Sequence, residues 1–302
     1  SPSAVLSYPL PSLVIAQSQE RFYPQARVVP NLLPCHSAAL MPGTAEAGRS
    51  IAFTPTSTRG AWEDRWNTKG VPETLALLRQ VARATGWSVD CITDRPLEDA
   101  LAAKRAAGLV VDDLVTGGYH LSGLEGLCLG KPVLAYLDER TQRVLRFITG
   151  ADTSPFVNVR LEDARGVLES LCANPEVAAD LGRAGRAWID RYWLPQTLVR
   201  HFDEAYRQLL TDPGLVCRQE ALRLDEPAER FFAIALPDAV YHARAARAHA
   251  ALPLGARVLG SARQRGRTLY HRCRKALPTL ARALGALRRR AQGGQEGYKR
   301  ST

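Results

Sequence analysis

In the stretch VVDDLVTGGYHLSGLEGLCLGKPVLAYL, from Val110 to Leu137, a glycine pair, a histidine, a serine and a glutamate fall within nine residues of one another. Gly117 and Gly118 have no side chains and so let backbone amides come close to a ligand. Ser122 sits where an N-cap would start the next helix, and a helix N-terminus favours an anionic group such as a phosphate. Glu125 falls in the first turn of that helix, where an ionised carboxylate can accept two hydroxyl hydrogen bonds, as from a ribose. The same residues have a plainer reading, in which the glycines shape a turn and Glu125 complements the helix dipole. The spacing alone leaves both open. His120 is either a contact to phosphate or sugar or a structural hydrogen-bonding residue of the turn. Asp112 and Asp113 are adjacent and form no D-x-D pair, so they are expected to end a strand and to cap or orient the loop after it.

A second group lies in PTSTRGAWEDRWNTKGVPETLALLR, Pro55 to Arg79. Arg59 and Lys69 flank a long loop and could converge on a diphosphate, Arg as a fork and Lys as a point charge. They read equally as solvated loop cations. Neither a Ser, His and Asp set nor a P-loop lysine motif is present to suggest hydrolase or ATPase chemistry. The six cysteines, Cys35, Cys91, Cys128, Cys172, Cys217 and Cys273, form no CxxC pair and have no histidine at zinc-ligand spacing. They are expected to be reduced thiols of a cytosolic protein, with Cys91 and Cys128 filling core positions.

Positioning these residues is the work of a regular alternation that begins at Ile51. Short apolar runs at 51–55, 87–93, 108–113, 132–137 and 155–159 read as strands; amphipathic stretches at 71–85, 96–107, 123–130, 139–148 and 161–173 read as helices. Two further helices, at about 175–191 and 195–210, follow. Near-continuous apolar strands alternating with helices imply an α/β fold, a doubly wound parallel sheet covered on both faces. In such sheets ligands bind beyond the carboxyl ends of the strands, which directs attention to the loops at 55–70, 93–96, 112–123 and 137–139. Trp188, Tyr192, Trp193 and Tyr206 are expected to pack as core aromatics near the last helices.

Residues 1–50 read as a remnant of an N-terminal domain followed by a linker, 51–212 as the α/β domain, and 213–302 as a basic helical extension. The chain opens at Ser1, read as a truncation or processing point, without the pattern of a secretory signal. The net charge of +10 is concentrated at one end: residues 1–214 hold 22 Lys and Arg against 24 Asp and Glu, residues 215–302 hold 18 against 6. The α/β part is therefore nearly neutral, which argues against reading the whole protein as nucleic-acid binding from its charge. In the extension Leu277, Leu280, Leu284 and Leu287 repeat at helical spacing beside Arg282, Arg288, Arg289 and Arg290. Such a helix could lie on an anionic membrane surface, bind a partner, or stand solvated. No run of about 18 apolar residues occurs to form an ordinary membrane-spanning helix.

The order strand, PTxxR, KG, helix, strand, helix, VVDD, GGYHLSGLEGLCLGKPV resembles the donor-binding, C-terminal domain of the group 1 glycosyltransferases of the GT-B fold, over roughly residues 28–210. The resemblance implies a Rossmann-like half of a two-domain enzyme that transfers a sugar from a nucleotide-sugar to a glycan or lipid-linked acceptor. Arg59 and Lys69 match the basic pair on the donor diphosphate. Glu125 matches the second carboxylate of the family's E-x7-E motif, on the ribose, and Gly117, Gly118, His120 and Ser122 surround the phosphates and sugar. The first carboxylate of that motif should stand at Gly117 and is absent. The family works without cofactor or metal, and no catalytic residue can be named, because the upstream half that supplies the acceptor site precedes this stretch. The expected place is the cytoplasm, including the inner face of the membrane. The competing reading is a noncatalytic nucleotide-sugar-binding or scaffold protein whose basic tail contacts a membrane or partner.

Overall fold

A computed structural model describes residues 11–17, 26–43, 48–55 and 69–216, together with Gln219, Leu222 and Ala250. Arg59 and the leucine and arginine repeat at 277–290 lie outside the described residues.

Five parallel strands form the main sheet: β3 (Ser50–Phe53), β4 (Ser88–Cys91), β5 (Leu109–Val111), β6 (Val133–Ala135) and β7 (Val157–Asn158), in the order β4-β3-β5-β6-β7. Each is joined to the next by a helix: α1 (Val71–Thr85), α2 (Leu97–Ala106), α3 (Leu121–Cys128) and α4 (Glu139–Thr149). After β7 come α5 (Ala164–Ala173), α6 (Pro175–Tyr192), the short α7 (Pro195–Leu198) and α8 (Arg200–Thr211). Two more strands, β1 (Leu13–Ile15) and β2 (Arg27–Val29), pair in parallel as a separate small sheet. All five strands and the five helices expected between residues 51 and 173 are present, four of the helices between strands and the fifth after β7. The helix expected over 195–210 is realised as α7 and α8, joined through Val199, whose dihedrals stay right-handed.

Apolar alternation along the strands builds two cores, one on each face. Ile51, Phe53, Leu109, Val111 and Leu134 join Leu78 and Val81 of α1 and Leu168 of α5. Ala52, Val110, Val133 and Ala135 join Leu101 of α2, Leu124 and Leu127 of α3, Val144 and Ile148 of α4 and Ile189 of α6. Successive strand residues point to opposite faces, so a run buried throughout, such as Leu109–Val111, requires helices on both. The architecture is thus the doubly wound α/β sheet expected from the alternation.

Local signals account for the helix boundaries. Pro72 opens α1, and Gly86, left-handed at φ 72°, closes it. Asp138 caps α4 by accepting the Thr141 amide at 2.8 Å, and left-handed Gly150 ends it. The small sheet is fastened to α8 through buried Arg27, which donates to Gln208 Oε1 at 2.5 Å and lies 3.1 Å from Glu204 Oε2. Trp188 and Trp193 are buried and stack on each other, whereas Tyr206 is 56% exposed on α8 and does not join them. Cys128 is fully buried while Cys91 is half-buried, and Cys35, Cys91, Cys128 and Cys172 are free thiols.

Close approach of α6 to the site-bearing helix depends on glycine. A Cβ at Gly182 would overlap the backbone carbonyl of Gly130, just beyond α3, and one at Gly185 would stand 2.8 Å from Leu127 Cδ2. Backbone cannot retreat as a flexible side chain can. Gly182→Ala is therefore expected to destabilise the fold by about 1–3 kcal/mol through overpacking, despite a helix-propensity gain of about 1 kcal/mol. Urea unfolding of the two proteins measures the difference; an alanine variant as stable as the parent would contradict this packing.

Candidate functional site

Because β3 lies between β4 and β5, the chain leaves β3 toward one edge of the sheet and then builds the rest on the other side. The C-terminal ends of β3 and β5 therefore flank the switch point at which sheets of this kind open a crevice. The loop after β3 ends at Lys69, and the loop after β5 runs from Asp112 into α3.

Lys69 reaches this point through an unusual backbone. Lys69 and Gly70 are both left-handed, with φ of 55° and 53°, and a Cβ at Gly70 would come within 2.5 Å of Val115 Cγ2. A non-glycine residue in this region is uncommon and must be held there by its surroundings. Here its side chain does so: Lys69 Nζ donates to Asp112 Oδ1 and to Ser122 Oγ, each at 2.5 Å, and to the Thr54 carbonyl at 3.1 Å. An ammonium has three donors, so Lys69, only 3% exposed at its side chain, is fully satisfied inside the protein.

Asp112 is the acceptor around which the site is arranged. It is fully buried at the end of β5 and accepts Lys69, the Ser122 hydroxyl at 2.7 Å and the His120 amide at 2.6 Å. Burial pushes its carboxyl upward, but the charge of Lys69, supported by His120 and the hydrogen bonds, outweighs burial and holds it at about 2. Its neighbour Asp113 shapes the loop, accepting the Val115 and Thr116 amides at 2.8 and 2.9 Å, the Thr116 hydroxyl, and His120 Nε2 at 3.0 Å. Both aspartates thus end the strand and orient the loop, as their adjacency suggested.

The helix begins two residues earlier than its serine implied, at Leu121. His120, in extended conformation, is the N-cap of α3, and Ser122 lies inside the first turn with its hydroxyl bridging Lys69 and Asp112 instead of capping. Asp112 takes the amide of the N-cap residue His120, the donor that a first-turn Glu or Gln accepts in a capping box. α3 can sit this close because it carries glycines on its buried side: a Cβ at Gly123 would stand 2.5 Å from Asp112 Oδ2, and one at Gly126 2.9 Å from Val133 Cγ2.

Glu125, on the next turn, is buried against Lys104 of α2, whose Nζ is 2.5 Å from Glu125 Oε2 and 3.4 Å from the Ser122 carbonyl. Burial lowers the Lys104 ammonium below its ordinary range, an effect Glu125 only partly offsets. Lys104 was not among the residues singled out by motif. Its signal was its place in LEDALAAKRA, on the stripe of Ala100 and Leu101 where the helical repeat calls for an apolar residue. Lys69 and Lys104 thus meet Ser122 from two sides, one at its hydroxyl and the other at its carbonyl, and each is already paired with an opposite charge.

The glycine turn is equally constrained. Gly117 has φ 81°, and a Cβ there would lie 2.8 Å from Asp138 Oδ2, so the carboxylate side chain that the E-x7-E spacing would place at 117 has no room. The Gly117 carbonyl accepts the Thr141 hydroxyl at 2.7 Å and the Asp138 amide at 3.2 Å. Tyr119 points inward, fully buried, with its ring 5.6 Å from Phe156 and its hydroxyl donating to the Ala16 carbonyl. His120, Ser122, Lys69 and Glu125 are therefore gathered at the N-terminal end of α3, with Gly117 and Gly118 leading into it.

Removing one member of a buried ion pair leaves the other uncompensated. Lys104→Met is expected to cost about 3–5 kcal/mol, with much of the loss restored in Lys104→Met/Glu125→Met; denaturant unfolding of the single and double variants tests the coupling. Asp112 also sets a pH response. Its folded value is depressed, so the stability it contributes is present above the ordinary carboxylate value of 3.8 and is lost as pH falls toward about 2. Asp112→Asn is expected to be less stable at neutral pH and to lose less between those limits, which acid titration of the folded signal measures.

Neither protein-family models nor curated proteins match the chain. Among solved structures it is similar to a variant of S. aureus TarM in complex with Fondaparinux, alpha-GlcNAc-glycerol and UDP, with 13% identity and a TM-score of 0.46, over 64% of this chain and 43% of that one. It is also similar to the sucrose-phosphate synthase of Thermosynechococcus elongatus, with 16% identity and a TM-score of 0.45, over 66% of this chain and 58% of that one. The chain spans about half the length of these solved structures.

Proposed function

We propose that this chain is the donor-binding half of a GT-B glycosyltransferase, holding a nucleotide-sugar at the switch point between β3 and β5. The observation that carries the reading is the convergence of Lys69, Ser122, His120 and Glu125 on one end of α3, beyond the carboxyl ends of adjacent parallel strands. A helix N-terminus presents unpaired amides and a positive dipole end, both suited to a diphosphate.

In this reading the diphosphate lies over the first turn of α3, with Gly117 and Gly118 leaving the approach uncluttered. Lys69 reaches it by exchanging the Ser122 hydroxyl, its one neutral side-chain partner, for a phosphate oxygen. Lys104 holds Glu125 Oε2, leaving Oε1 as the acceptor for a ribose hydroxyl. Arg59, ten residues before Lys69 in the sequence, is assigned the second cation on the diphosphate. No metal or cofactor enters the scheme, since the leaving diphosphate is stabilised by amides and side chains. The acceptor, a glycan or a lipid-linked molecule, is bound by an upstream half, and the basic residues of 213–302 draw the enzyme to the anionic inner face of the membrane.

Titration calorimetry with a panel of nucleotide-sugars tests the reading. Saturable binding of at least one is expected, weakened roughly tenfold by Glu125→Gln because the acceptor of the ribose hydroxyl loses its charge. Absence of binding across the panel, or affinity indifferent to that change, points instead to a noncatalytic scaffold. Pelleting with anionic liposomes that is equal with and without residues 239–302 would remove the membrane part.

A further inference from the structure

Two thiols lie together at the end of α3 remote from the candidate site. Cys128 is the last residue of that helix, and Cys35 comes from the segment that follows β2. Both are wholly buried and unbridged, and the Cys128 thiol donates a hydrogen bond to the Cys35 sulfur. The two backbones also meet independently of the sulfurs. Arg186 Nη1, on α6, donates to the Cys35 carbonyl at 3.1 Å and to the Cys128 carbonyl at 2.6 Å.

Two thiols that merely filled a core would be chemically alike, and these differ. Cys35 is held below the ordinary thiol range by the hydrogen bond from Cys128 and by the charge of Arg186, against the effect of burial. The same bond, together with burial, pushes Cys128 up. A thiolate is the nucleophilic form of cysteine, and a nearby cation favours it. One sulfur is thus suited to attack while the other keeps its proton. The pair is also not deep in the core. The guanidinium that binds both carbonyls is 11% exposed at its side chain, and His36, adjacent to Cys35 and in contact with Arg186, is 53% exposed.

We infer that Cys35 and Cys128 form a redox switch: a peroxide converts them to a disulfide that fastens the segment after β2 to the site-bearing helix, and a dithiol reductant releases it. The Cys35 thiolate attacks one oxygen of hydrogen peroxide, which breaks the O–O bond and leaves a sulfenic acid; the departing hydroxide takes up a proton to become water. Cys128 then attacks the Cys35 sulfur, and its proton leaves with the sulfenic hydroxyl as a second water. Two thiols are oxidised and one peroxide is reduced. Bond formation gives up the hydrogen bonds from Cys35 to the carbonyls of Leu33 and Trp193. In the oxidised form the segment is tied covalently to the helix whose other end gathers Lys69, Asp112 and Ser122.

The test uses the full chain, reduced, freed of reductant and exposed to stoichiometric hydrogen peroxide. Peptide mapping by mass spectrometry without reductant is expected to find Cys35 joined to Cys128, two hydrogens lighter than the free thiols and restored by dithiothreitol. Closing a loop of roughly 90 residues should raise the thermal unfolding midpoint by roughly 10 °C, and the reductant should reverse the rise. Cys128→Ser removes the resolving thiol, so dimedone should then label Cys35 as the trapped sulfenic acid. In Cys35→Ser, dimedone should leave Cys128 unlabelled. Should either variant fold poorly, the map and the midpoint of the unsubstituted protein decide. Peroxide that leaves both thiols free, drives them only to sulfinic or sulfonic acid, or links either to another cysteine overturns the inference. So does a Cys35–Cys128 bond that leaves the midpoint unmoved, and label on Cys128 in Cys35→Ser overturns the assignment of roles.

Discussion

A single buried carboxylate, Asp112, dictates the arrangement of everything near the mouth of the sheet. It stands at the end of β5 without solvent contact, and such a charge is tolerated only when its oxygens are met by donors. Three elements meet that requirement: the loop after β3 with Lys69, the chain entering α3 with the His120 amide, and the first turn of α3 with Ser122. Gly123 has no side chain because the space belongs to Asp112, and Lys69 holds a left-handed conformation that delivers its ammonium there. What resembles a ligand site in the sequence is in the first instance a solution to burying this one charge.

The same economy extends outward. Lys104 of α2 and Glu125 of α3 form a second buried pair, connected to the first through the two polar groups of Ser122: its hydroxyl meets Lys69 and its carbonyl meets Lys104. Buried ion pairs add little net stability over apolar packing, while an unmatched partner is costly. Their value lies in specifying one geometry, with the helix tied to its neighbours on both sides at defined heights. A ligand that draws on Lys69 or Glu125 must therefore compete with bonds already made, which makes selectivity depend on what it offers in exchange.

The sequence carried the architecture well because the relevant signals are local. Apolar runs of three to five residues flanked by amphipathic repeats mark the strands between Ile51 and Val159, and both-face burial is the only way to accommodate such runs. The site was legible in part. Glycine spacing and the positions of His120, Ser122 and Glu125 pointed to the turn between β5 and α3, where the structure gathers Lys69, Asp112 and Ser122, since the rule about carboxyl ends of parallel strands needs only strand order. Long-range pairing was not legible. That Lys69 would meet Asp112, separated by 43 residues, depends on β3 and β5 being neighbours in space. Lys104 lies on the apolar stripe of α2, which no motif marks, and the N-cap falls at His120, whose amide is held by Asp112 from outside the helix.

The turn from Gly117 to His120 is fastened at three of its four residues: its first carbonyl by Thr141 and Asp138, Tyr119 by aromatic neighbours and the Ala16 carbonyl, and its last amide by Asp112. Loops that gather around a small molecule ordinarily surrender backbone freedom at the moment of contact, and that loss weakens the complex. Here the freedom is already gone once the chain has folded. For a ligand docking on this segment, the thermodynamic signature would be governed by desolvation and contact rather than by ordering of the backbone.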